Sequence, residues 1–256
     1  MRLGLIAILF LVGCSRLYTG HTSTDTTPDY MSDHDAEKFV GHCHDSLRRS
    51  STQTLSPRVV EDGPYRWATI PYSIEANDRG FHLAGGITLD LGQIPPNQHI
   101  YYWARLQNIR QCVRDFYGRH DIFLNLTFFR SGEQGGVGSS SPGYVVVRKM
   151  GYRIQTFNMA NWAFGMDGVE LNDELLCTVF SHELGHMLGL RDEYFDSAVT
   201  HRRMGADDSV MKQCQVSPSQ ARLYPHHLRT IVKNACEEHH AEVPAILGGG
   251  GFTPPF

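Results

Sequence analysis

The stretch His182-Glu183-Leu184-Gly185-His186-Met187-Leu188-Gly189-Leu190-Arg191-Asp192 places two histidines at helical spacing, a glutamate beside the first and an aspartate beyond a glycine. The segment leading into it has the marks of a helix start. Asn172 is a good N-cap, and Asp173 and Glu174 complement the positive end of a helix dipole. Leu175, Leu176, Val179, Phe180, Leu184, Met187 and Leu188 form an apolar stripe. His182 and His186 stand four apart, so both imidazoles leave one helix face and can grip one ion. Glu183 is placed to reach a water on that ion without being a ligand, the position of a general base. Gly189 falls where a left-handed or tight conformation ends the helix and turns the chain. Asp192 can then come back as a third ligand, through oxygen. With 14 His in 256 residues, a chance HExxH arises with odds of roughly 3%. Requiring the Gly and a final His or Asp lowers them to roughly 0.05%.

Upstream, residues 65–75 alternate, with Ala68, Ile70, Tyr72 and Ile74 on one face, and read as one half-buried strand. Pro71 suggests a place where one ladder donor is dispensable. Gly85-Gly86 interrupts 81–91, which reads as a short hairpin insertion. Pro95-Pro96-Asn97 opens a helix whose apolar positions 102, 106, 109, 113 and 116 follow helical spacing to a stop at Gly118. Strands are expected at 122–129 and 144–148, with a polar edge strand at 153–158. Pro225 is well placed to start a last helix running to about Cys236. The order strand, helix, strands, helix is that of an α+β fold.

The domain so defined spans 61–240. Before it, a basic residue and an apolar run over 3–12 end at Gly13-Cys14, which reads as an export signal too short to span a bilayer. Leu11-Val12-Gly13-Cys14 resembles the lipobox of bacterial lipoproteins, which implies a leader over 1–13 and a lipid on Cys14. Residues 14–33 are Ser/Thr-rich and read as a flexible tether, 34–60 as a separate N-terminal segment with a polar surface helix over 35–49, and 241–256 as a flexible tail. The net charge of −4 offers no global positive field for nucleic acid. A lipid on Cys14 would leave Cys43, Cys112, Cys177, Cys214 and Cys236, an odd number with at least one free thiol. Cys214–Cys236 is the pairing we favour, and Cys177 reads as a buried small hydrophobe.

HExxHxxGxxD resembles the zinc signature of the metzincin clan of metalloendopeptidases, in the minority form with Asp as third ligand, as in snapalysin-like enzymes. The resemblance implies Zn2+ on His182, His186 and Asp192, Glu183 as catalytic base, and a methionine turn beneath the metal, for which Ser209-Val210-Met211 offers Met211. It also implies a twisted, mostly parallel sheet with an antiparallel edge strand, a zinc-binding helix and a C-terminal helix. Some clan members carry Tyr two places after the methionine; here that place is Gln213. Tyr194 and Tyr224 are then alternative oxyanion donors. Glu193 and Asp196 remain alternatives to Asp192, and Cys43, within His42-Cys43-His44, is an alternative latency device.

The expected function is that of an exported, lipid-anchored zinc endopeptidase in a bacterial cell envelope, at the outer rather than the inner membrane. Its partners would be a protein or peptide substrate and, through the N-terminal lipid, a membrane. The edge strand at 153–158 would bind substrate as an added strand. A peptidoglycan peptide hydrolase with the same site, and a non-catalytic envelope protein stapled by zinc, are the alternatives. A purely structural site is normally closed by four protein ligands, and this motif supplies three.

Overall fold

Three strands share one apolar face, and their register explains the core. The computed structural model describes residues 31–55, 59–62, 65–90, 96–130, 153–154, 157–158, 171–195, 199, 202–212 and 217–241. Strand β4 (Tyr72–Asn77) turns into β5 (Gly80–Asp90) as an antiparallel hairpin, and β5 pairs in parallel with β6 (Ile122–Arg130). Tyr72 lies opposite Gly85, which lies opposite Leu126; Ile74 meets Leu83 and then Leu124; Phe81 meets Ile122. These residues are all buried, while the intervening His82, Asn125 and Thr127 are half-buried or exposed. A one-residue slip would turn the whole apolar row outward, so the period of two fixes the pairing.

Strand β1 (Gln53–Leu55) extends the sheet beside β4, antiparallel, and β8 (Phe157–Asn158) pairs in parallel with the end of β5. A second, three-stranded sheet holds β2 (Val59–Asp62), β3 (Tyr65–Ala68) and β7 (Arg153–Ile154). Four helices complete the described fold: α1 (Asp33–Leu47), α2 (His99–Gly118), α3 (Asp173–Met187) and α4 (Pro225–Ala241). α1 and α4 pack on each other and on β4 and β1, while α2 lies against β6 and carries α3. The α+β class, the α2 and α3 helices, the β6 strand and the α4 start at Pro225 follow the sequence pattern. None of the described helices is long and apolar enough to cross a membrane.

Several expectations need correction. Residues 65–75 form two strands in two sheets, because the alternation continues through Thr69-Ile70-Pro71 while the hydrogen-bond partners change. Residues 80–90 form a continuous strand, not a hairpin insertion. Gly85-Gly86 is tolerated there because Gly85 pairs with Tyr72 on one side and Leu126 on the other, and Gly86 with Thr127. The sheet is mixed rather than mostly parallel: β1–β4 and β4–β5 are antiparallel, β5–β6 and β5–β8 parallel. Of the edge strand expected at 153–158, the described residues 153–154 pair with β3 and 157–158 with β5, in different sheets.

The N-terminal segment is also part of the core. Ala36, Cys43 and Leu47 are buried, and Cys43 is bonded to Cys236 of α4 rather than Cys236 to Cys214. Cys177 likewise forms a disulfide, with Cys112 of α2. A cross-link of 65 residues' separation is worth on the order of 4 kcal/mol by chain entropy, enough to matter for a domain of marginal stability. Residues 1–30, including the leader and Cys14, lie outside the described residues, as do 144–148, Asp196, Gln213, Cys214 and 242–256.

The end of α2 is tied to the turn before α4 by His120, whose Nε2 accepts the Leu223 N–H at 3.3 Å. Burial, helped by the charges of Arg119 and Arg222, pushes this imidazole down to about 4. The unfolded chain takes up this proton near the ordinary value of about 6.5, before the folded chain does. Stability is therefore lost as pH falls from about 6.5 to about 4. His120→Gln, which keeps an acceptor but does not titrate, is expected to lose less stability over that window in urea unfolding. Identical pH slopes for the two proteins would contradict this.

Candidate metal centre

The position of the centre follows from how α3 is held. Asn172 caps it, its side chain accepting the Leu175 N–H at 2.9 Å. Arg105 of α2 donates through Nε to Asp173 at 2.9 Å and through its terminal nitrogen to the Leu171 carbonyl at 2.6 Å. The Cys112–Cys177 bond and the Tyr117 hydroxyl, which donates to the Ser181 carbonyl at 2.8 Å, fix the middle. At the far end, Ile70 N–H donates to the Met187 carbonyl at 3.0 Å. Gly189 then adopts φ 102°, a left-handed conformation that only glycine takes cheaply, and the chain folds back.

That turn brings Asp192 to the histidines. The His182 and His186 Nε2 atoms are 3.1 Å apart, and Asp192 Oδ1 lies 3.3 Å from the first and 3.2 Å from the second. A tetrahedral ion with bonds of about 2.0–2.1 Å spaces its ligand atoms about 3.3 Å apart, so the triangle has the size of a metal site. The tautomers agree. His182 Nδ1 lies 2.7 Å from the Val210 carbonyl, and His186 Nδ1 lies 2.9 Å from the Leu190 carbonyl. A carbonyl oxygen only accepts, so each Nδ1 carries the proton and each Nε2 of a neutral ring presents a lone pair. Asp192 Oδ1 is buried and faces only the two imidazole Nε2 atoms. Three electron-rich atoms thus converge in a buried space, an arrangement that calls for a cation.

Protons answer the same demand when no metal is held. Burial alone would push His186 down, but the Asp192 carboxylate outweighs it and raises the ring to about 9. Burial would raise Asp192, yet the charges and hydrogen bonds of His186 and His182 hold it well below the usual carboxylate range. Glu183 is half-buried on α3, and its negative charge is felt at His186 and at Tyr194. It lies beside the triangle without belonging to it.

Met211 is fully buried, with its sulfur against Gly185, between the two histidines along the helix. Its turn is anchored from both sides: Val210 N–H donates to the Arg222 carbonyl at 3.0 Å, and Glu193 N–H to the Met211 carbonyl at 3.0 Å. The same turn supplies the Val210 carbonyl that orients His182. Of the two tyrosines weighed as oxyanion donors, Tyr194 lies beside the centre, where burial and the Asp192 charge raise its phenol. Tyr224 is engaged elsewhere, its hydroxyl donating to Asp208 at 2.6 Å.

Glu193, the neighbour of Asp192, points away and gathers a second cluster. Its carboxylate accepts from Ser209 and from His226 Nε2 at 2.6 Å, and His227 Nε2 lies 3.1 Å from it. These residues are also close enough to hold an ion, but their protons are arranged otherwise. Tyr224 N–H donates to His227 Nδ1 at 2.9 Å, which leaves the proton of neutral His227 on Nε2, facing Glu193. His226 lies between two carboxylates, with Nδ1 2.6 Å from Asp33, and Arg203 approaches from the side. The His227 proton here faces the carboxylate, whereas at Asp192 the Nδ1 protons of the two imidazoles face backbone carbonyls and Nε2 faces the carboxylate. This hub joins α1, the ligand loop, the Met211 turn and α4, and its titration follows burial against those partners: Glu193 is held below the usual carboxylate range although burial would raise it.

Gly185 tests the packing beneath the centre. A Cβ there would lie 2.6 Å from Met211 Sδ and 3.2 Å from Leu190 Cδ1. Gly185→Ala is expected to destabilise by about 1–3 kcal/mol through overpacking, although alanine is the better helix former by up to about 1 kcal/mol. Met211→Ala in that background should recover part of the loss in thermal unfolding. A Gly185→Ala protein as stable as the parent would contradict the packing described.

Compared with known proteins, the chain matches no protein-family model, no curated protein and no solved structure at a significant level. Its chemistry rests on the side chains themselves.

Proposed function

We propose that this chain is a zinc-dependent endopeptidase of metzincin type, exported and tethered to a bacterial envelope by lipid on Cys14. The observation that carries the reading is the convergence of one carboxylate oxygen and two imidazole Nε2 atoms whose Nδ1 partners face carbonyls, with Glu183 on the same helix outside the ligand set. Three protein ligands leave a position open, the mark of a catalytic rather than a structural site. Zn2+ held by His182, His186 and Asp192 supplies Lewis-acid polarisation of a carbonyl and makes water more acidic.

The residues of the chain do the rest. Val210 and Leu190 carbonyls fix the two imidazoles, and α3, clamped at both ends and in the middle, fixes their spacing. Hydrolysis adds water across a peptide C–N bond: a C–O bond forms and the C–N bond breaks. Glu183 takes the proton from the attacking water and returns it to the departing amine nitrogen. Its half-buried position beside His186 suits that exchange. Tyr194 is the phenol best placed to donate to a developing oxyanion.

Cleavage of unfolded casein by the full chain in detergent tests this. The parent protein is expected to cut and to stop on addition of a chelator. Glu183→Ala at equal zinc content should lose about 10²–10⁴-fold in rate. Equal cleavage by the variant would overturn the role of Glu183. Digestion of purified sacculi but not of casein would direct the same chemistry to wall peptides.

A further inference from the structure

Asp192 has two oxygens, and the structure treats them differently. Oδ1 faces the histidines, while Oδ2 faces Arg202 at 3.6 Å. Arg202 is itself buried and held in place by a residue 140 positions earlier. Its Nε donates to Asp62 Oδ2 at 2.8 Å, and a terminal nitrogen lies 2.6 Å from the same oxygen. The other terminal nitrogen points to the Tyr194 carbonyl at 3.5 Å, and the guanidinium lies 5.2 Å from the Tyr194 ring centroid. One cation therefore sits between buried Asp62 and half-buried Asp192, bound closely to the first and loosely to the second.

We propose that Arg202, braced by Asp62, is a positioning residue that holds Asp192 as a one-oxygen metal ligand. The inference rests on the reading of His182, His186 and Asp192 as a metal site. Three consequences follow from the geometry. The guanidinium occupies the Oδ2 side of the carboxylate and keeps Oδ1 turned to the imidazoles. Its distance leaves Asp192 able to donate to a metal, since a close bidentate pair would quench the ligand. Its charge lies between the Asp62 and Asp192 carboxylates, which would otherwise repel each other. Outer partners of this kind typically change metal affinity 10–100-fold when removed.

The test is the zinc dissociation constant of the full chain, by competition with a chromophoric chelator, alongside the unfolding midpoint of metal-free protein. Arg202→Met strands Asp62, so it should weaken zinc binding and lower the metal-free midpoint together. The pair Arg202→Met/Asp62→Leu removes both charges and leaves no orphan. It is expected to regain the midpoint yet still bind zinc 10–100-fold more weakly. Arg202→Lys keeps the charge without the planar fork and should fall between parent and Arg202→Met in affinity. Parent-like zinc affinity in the paired variant, or in Arg202→Met and Arg202→Lys should the pair not fold, would reduce Arg202 to a structural role and overturn the proposal. A parent protein that binds no zinc would overturn the underlying metal reading as well, so the two failures are distinguishable.

Discussion

Two histidine nitrogens and a carboxylate oxygen within 3.3 Å of one another cannot stay bare in a buried space. Each carries a lone pair, and their mutual repulsion must be offset by a cation at the point where they meet. Much of the surrounding structure holds that unfavourable arrangement in place. The imidazoles are prevented from turning by carbonyls of two different loops, and the helix bearing them is fastened by an arginine, a disulfide, a tyrosine and the backbone of Ile70. Gly189 provides the one backbone turn that lets Asp192 return to a helix it has just left. Loss of any of these would let the three atoms drift apart, and with them the affinity for an ion.

The dipeptide Asp192-Glu193 divides the electrostatics of this region. The two side chains leave the chain in opposite directions, one to His182 and His186 and one to a hub of His226, His227, Ser209 and, through His226, Asp33. The hub is a closed hydrogen-bond network that joins the first helix, the Met211 turn and the last helix around the ligand loop. Together with the Cys43–Cys236 bond it makes the N-terminal segment part of the same body as the centre. Rigidity at the ligands therefore depends on contacts made far from them in sequence.

The sequence showed what is local and left unstated what depends on distant partners. The α3 helix, its Asn172 cap, the Gly189 turn and the convergence of His182, His186 and Asp192 follow from spacing and capping, which neighbouring residues determine. The burial of Met211 also follows its motif, although its contact with Gly185 carried no sequence signal. The strand boundary at Thr69–Pro71 was hidden because alternation persists while pairing partners change. Gly85-Gly86 suggested a break because nothing nearby announces the β4 and β6 partners of Gly85. The disulfides, the tilt of Glu193 away from the metal ligands and the Asp62–Arg202 clamp join residues too far apart for any local pattern to reveal.

X-ray absorption at the zinc edge of the zinc-loaded full chain tests the central claim most directly. A site of His182, His186 and Asp192 should show only nitrogen and oxygen neighbours at about 2.0–2.1 Å, with the outer scattering of two imidazoles. A sulfur neighbour at about 2.3 Å, or the scattering of one imidazole or none, would contradict it.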